Sequence, residues 1–180
     1  DKGQITRNLN NLSLIYSDRG NQQKALETLK EMLSMAVAID DRSNMCYAHQ
    51  NLSAVYNKIG KEKLSYEHTL LAYELAKETE DLNMQAAALT NIAVNKLNNK
   101  DYDDALEGFH KVLNIFDGLG DKIAVIETLH RIANTYKYMH KDTDVVKTCE
   151  RALELSKEGK NDPLIATSHT YLAVAYNELG

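Results

Sequence analysis

The chain has 180 residues, 43% of them hydrophobic, a net charge of −5, one proline and no tryptophan. That is ample apolar material for a core. No Lys/Arg cluster is present to release counterions from nucleic acid, and no apolar run approaches the roughly 20 residues of a membrane helix.

Sparse proline points to long uninterrupted helices, and the periodicity supplies them in order. In residues 1–20, Ile5, Leu9, Leu12 and Tyr16 keep helical spacing beside the small Ser13. Gly20 stops that helix, because the residue after a helix end often needs positive φ and glycine takes it at least cost. A second helix runs from Gln22 to Ile39, with Ala25, Leu26, Leu29, Met32, Leu33 and Ala36 on one side. Asp40-Asp41 breaks it and caps the next. The same alternation predicts helices near 42–59 and 62–79, near 82–99 and 102–117, and near 122–139 and 142–158. Asp101 is the expected cap in the third unit and Gly118-Leu119-Gly120-Asp121 the turn. After Gly159, Asp162 is the expected cap and Pro163 the first residue of a last helix near 163–179. This makes nine helices, in units 2–41, 42–81, 82–121 and 122–161 with a half unit 162–180. The division falls in mid-unit, so the natural chain is expected to continue.

The units are copies at a spacing of 40 residues. Leu12, Leu52, Ile92, Ile132 and Leu172 fill one slot, and Ser13, Ser53, Ala93, Ala133 and Ala173 the next. Tyr16, Tyr56, Lys96, Tyr136 and Tyr176 follow four residues on, and Ala25, Ser65, Ala105 and Val145 form a second small slot. A fixed period of about 20–50 residues marks a solenoid. The pattern Leu-small-x-x-Tyr-x-x-x-Gly resembles the tetratricopeptide repeat over essentially the whole chain, and small residues at these slots let paired helices approach closely. Departures are Leu9, His49, Leu89, Leu129 and His169 at the usual aromatic position, the large Val145, and Lys96 and Lys100 in the third unit. The usual period is about 34 residues. The longer unit is typical of members resembling kinesin light chains, spindle-orientation adaptors and bacterial regulators. The resemblance implies an all-α, right-handed superhelical solenoid of antiparallel helix pairs, cradling a peptide or partner segment in its groove.

On the first helix of each unit the core slots cluster around one direction, and the resemblance puts the opposite face on the concave side. That face carries Tyr47, Gln50, Asn57, Val94, Leu97, His130, Asn134 and Lys137, with Asn11, Asn51, Asn91 and Arg131 at its flank. A carboxamide offers both donor and acceptor, so the Asn11, Asn51, Asn91 ladder suits the backbone of an extended peptide. The same asparagines could equally bond a neighbouring helix and tie units together. Ala54, Ala87, Val94 and Leu97 make an apolar floor, and His130, Arg131 and Lys137 a cationic end, where Glu127 is expected to neutralise Arg131 one turn away.

Other chemistry has no candidate. Phosphate loops, nucleophile elbows and paired carboxylates in a pocket are missing, and the six histidines show no i, i+4 metal pairing. His49 and His169 are read as packing histidines, and Lys96 is expected to carry its charge outward. The chaperone-tail carboxylate clamp of the resembling family is matched only at Asn91 and Arg131. Cys46 and Cys149 fall in different slots, and two unmatched thiols point to a reducing, cytoplasmic setting. The expected function is therefore a non-catalytic peptide- or protein-binding module without cofactor or metal, the sensory part of a larger bacterial signalling regulator. The alternative is a structural adaptor that self-associates or docks on an adjoining catalytic or output domain.

Overall fold

The computed structural model describes residues 2–179. Its elements are α1 (Lys2–Asp18), α2 (Gln22–Ala38), α3 (Arg42–Lys58), α4 (Glu62–Glu78), α5 (Leu82–Asn98), α6 (Tyr102–Leu119), α7 (Lys122–Tyr138), α8 (Asp142–Glu158) and α9 (Asp162–Leu179). Among the described residues there is no strand. Each connection is two or three residues long, too short for a crossover, so consecutive helices are antiparallel neighbours.

The turns have one construction, repeated every 20 residues. Gly20, Asp40, Gly60, Glu80, Lys100, Gly120, His140 and Lys160 all have positive φ. The residue after each donates its amide to the carbonyl five residues back, as in Asn21 to Tyr16 (2.8 Å), Asp41 to Ala36 (2.9 Å) and Asp121 to Phe116 (3.0 Å). This is the Schellman arrangement, which satisfies carbonyls that a helix end would otherwise leave open. That donating residue is also the N-cap of the next helix. Asn21, Asp41, Asp81, Asp121 and Asn161 accept the amide three residues on at 3.0–3.2 Å.

Two local expectations are corrected here. Asp101 makes no side-chain cap bond, because its carboxylate lies 3.6 Å from the Lys96 ammonium. At the last turn Lys160, not Gly159, takes the left-handed conformation, and Asn161, not Asp162, caps α9.

The chain forms two compact units, residues 1–88 and 89–180, with the boundary inside α5. In the first, Ala25, Leu29, Met32, Ala48, Leu52, Val55 and Tyr56 form one buried cluster, and Cys46, Ala72, Ala76 and Met84 a smaller one. In the second, Phe109 is fully buried among Ala93, Ala105, Leu113, Val125, Leu129 and Ile132, and Ala133, Val145, Cys149, Leu172 and Ala175 make the neighbouring cluster. Most slots read as small are core slots, with Ala25, Ala105 and Val145 all buried, whereas Ser65 is half-buried and Ala173 exposed. Three other slots differ from expectation. Leu12 and Tyr176 are exposed (39% and 52%), since α1 packs on α2 and α3, and α9 on α7 and α8, which leaves one flank of each open. His169 is exposed as well and packs in no core. Lys96 turns its ammonium to Asp104 at 2.9 Å as well as to Asp101, so its charge ends in a carboxylate pair.

Candidate functional site

In the first unit α1 and α3 lie side by side, and their polar faces line a cleft of about 430 Å³. Arg7, Asn10 and Asn11 enter it from α1, Ser43, Asn44 and Tyr47 from α3, and Asp41 from the turn. The helical spacing that puts apolar residues into the core necessarily collects these residues on the other side. Asn51 does not reach the cleft as a free group. Its Nδ2 donates to Asn10 Oδ1 at 2.6 Å, tying α3 to α1. Asn11 and Tyr47 are exposed and have no hydrogen-bond partner among the described residues. The Arg7 Nε donates to the Gly3 carbonyl at 3.3 Å, and the guanidinium forms no ion pair among the described residues. Asn57 is exposed near the end of α3. The Gln50 Nε2 is buried with no hydrogen-bond partner among the described residues.

In the second unit a cleft of about 350 Å³ is lined by Glu127, His130, Arg131 and Asn134 of α7 with Tyr171 of α9. His130 is only 7% exposed, its Nε2 is 2.8 Å from Ser168 Oγ, and its ring stacks on Tyr171 at 5.7 Å. Burial lowers its pKa, so the ring is neutral near neutral pH and adds no charge to the expected cationic end. Glu127 does not neutralise Arg131: they form no ion pair, and Arg131 acts instead on Tyr171, where it opposes the upward shift that burial imposes on the phenol. Asn134 is half-buried and Lys137 exposed, neither with a partner among the described residues. Asn91 is exposed on α5. Val94 and Leu97, read as part of an apolar floor, are half-buried and pack against the Phe109 core, which leaves little of them to offer a ligand.

Asn10 and Tyr171 stand in the slots of Gln50 and Asn51, on the face the sequence predicts, whereas Ser43 and Asn44 were not read from the sequence. Their signal was the same face two helical turns earlier, seven residues before Gln50 and Asn51. No other chemistry assembles around them. Among the described residues no group of three or more His, Cys, Asp or Glu is placed to hold a metal, and no helix is long and apolar enough to cross a membrane. Both thiols are raised to about 11, by burial at Cys149 and by burial with the Asp81 charge at Cys46, so both are protonated and poor nucleophiles. The Cys46 Sγ sits 3.3 Å from the Ala72 carbonyl.

Comparison with known proteins bears on the fold. Residues 9–39 match the family model described as tetratricopeptide repeat. No curated protein sequence matches the chain. Among solved structures, BtubC (BKLC) from P. vanneervenii superposes with a TM-score of 0.88 at 19% identity, covering 99% of this chain and 74% of that one. A signal transduction ATPase with numerous domains and a tetratricopeptide repeat sensor, from Pyrococcus horikoshii, gives 0.87 at 15% identity, over 98% of this chain and 28% of its own. A Rap protein complexed with competence and sporulation factor gives 0.80 at 15% identity, over 99% and 54%. The fold is the all-α, tetratricopeptide-like solenoid, the repeat architecture that the sequence period resembles.

Proposed function

We propose that this chain is a non-catalytic module that binds extended peptide or protein segments, at the cleft of α1 and α3 in the first unit and at that of α7 in the second, as the sensory or interaction part of a larger bacterial signalling regulator. One observation carries the reading. Polar side chains with no hydrogen-bond partner among the described residues line the clefts, Asn11 and Tyr47 in the first unit and Asn134 in the second, where Arg131 stands beside it without an ion pair among the described residues. Asn51 and Asn10, by contrast, are tied to each other across α1 and α3 and are not free for a ligand. Unpaired amides offer a donor and an acceptor to a peptide backbone whatever its sequence, and the tyrosine adds a flat apolar surface. Support also comes from the likeness to a protein in which such repeats are the sensor and to one complexed with a factor. The test begins with selection of binders from a displayed library of unstructured peptides, followed by titration of the best. Asn11→Ala, Tyr47→Ala and Arg131→Ala should each weaken binding by about 1–3 kcal/mol without lowering thermal stability. Asn51→Ala should lower stability first, by breaking the α1–α3 tie. Equal affinity in wild type and all three cleft variants would refute the reading and favour a self-associating adaptor.

A further inference from the structure

The α3–α4 pair differs from the other pairs at the slots that meet across it. Where other units have Leu9, Leu89 and Leu129, α3 has His49. On α4, Ser65 stands in the slot of Ala25, Ala105 and Val145, His68 in that of Thr28, Gly108 and Thr148, and Thr69 in that of Leu29, Phe109 and Cys149. The result is a polar seam inside a helix pair. Ser53 Oγ lies 2.7 Å from Thr69 Oγ1 and 3.1 Å from Ser65 Oγ. His49 Nδ1 lies 2.8 Å from His68 Nδ1, and the His68 ring stacks on Tyr56 at 5.3 Å.

A bond between two ring nitrogens needs a proton on one and a lone pair on the other. With two protons, a pair of N–H groups would face each other at that distance, both rings charged. We propose that the His49–His68 bond is a proton-sensitive latch on the α3–α4 pair, closed while one Nδ1 carries a proton and the other does not, and opened when both are protonated.

The surroundings fix the direction. Around the two rings stand Lys30 of α2, Tyr56 of α3 and Glu67 of α4. Burial, then the neighbouring His68, lowers His49 to about 4. Burial lowers His68 too, with Glu67 opposing and Lys30 assisting. In the opened pair both rings titrate near the ordinary value of about 6.5. Closure is therefore fully present above that value and is lost as pH falls toward about 4, because the open state binds more protons. Each proton taken up makes opening about tenfold easier per pH unit within the window. α3 also carries Tyr47 and Asn51, so an opened pair disturbs one wall of the first-unit cleft.

Hydrogen exchange resolved by helix, at about pH 7 and about pH 4.5 and corrected for the intrinsic rate, tests the latch. The α1–α2 pair of the same unit contains no histidine and serves as the internal reference. Amides of α3 and α4 should lose at least tenfold more protection than those of α1 and α2 across this interval. H49L/H68T, which installs the residues of the first pair, should abolish that difference. Equal losses in both pairs overturn the proposal, and so does a variant that loses as much as wild type. Should the variant fail to fold, ring titration in the wild-type protein decides: one or both rings below about 6.5 supports the latch, and two independent rings at that value overturn it.

Discussion

A Cβ on Gly108 would lie 2.8 Å from the Cβ of Ala93, closer than two carbons pack. Gly108 sits inside α6, where alanine ordinarily gains about 1 kcal/mol in helix propensity. Overpacking costs about 1–3 kcal/mol, so Gly108→Ala should destabilise the protein on balance, and adding Ala93→Gly should recover part of the loss. Urea denaturation of wild type and the two variants measures both effects; a more stable Gly108→Ala would mean that the two helices stand further apart. The period identified Ala93 and Ala105 as small slots but not Gly108, since the residue at the tightest point depends on how two helices cross. The asparagines teach the same lesson. Asn11 and Asn51 occupy one slot, yet only Asn51 meets a partner, Asn10, because pairing depends on the register of the adjacent helix. His49 and His68 were readable only in hindsight: they stand nearly symmetrically about the turn at Gly60, and in an antiparallel pair such residues face each other.

At the scale of the element, the turn is the unit of construction, and glycine is its cheapest occupant. Five of the eight left-handed positions hold other residues, so the chain tolerates a strain of about 1 kcal/mol at each. Gly60 and Gly118 separate strain from space, because a Cβ would meet nothing within 4 Å at either. Gly60 has φ +71, whereas Gly118 lies within α6. Gly60→Ala should therefore cost about 1 kcal/mol and Gly118→Ala should gain up to about the same amount. Thermal midpoints of the two variants, shifted in opposite directions, are the expected result; equal shifts would remove the backbone explanation. Helix boundaries were legible to within two residues because Gly20, Gly60 and the aspartates punctuate every 20 residues. Errors came where two demands compete for one side chain. Asp101 stands where a cap belongs but answers to Lys96, whose tyrosine slot needed a counter-charge once lysine occupied it.

For the molecule as a whole, the fold was legible because one pattern is written five times, and each copy corrects the noise in the others. A binding face carries no such redundancy: its value lies in what differs between copies, and periodicity averages that away. The same repetition predicts how the protein fails. Within each unit, contacts run between helices that are neighbours or next neighbours in sequence, such as α1 with α3 and α7 with α9. Stability in such an array is a sum of local terms and nearest-neighbour interfaces, not one indivisible core. Phe109 is the largest fully buried side chain, and its truncation to alanine should cost about 3–5 kcal/mol. The loss should fall on α6 and on α7, which it packs against, while α1 and α2 keep their hydrogen-exchange protection. Calorimetry on Phe109→Ala should then give a van't Hoff enthalpy below the calorimetric one, since the parts no longer melt together. A uniform loss of protection across every helix, with the two enthalpies still equal, would mean that the repeats fold as one cooperative body despite their local contacts.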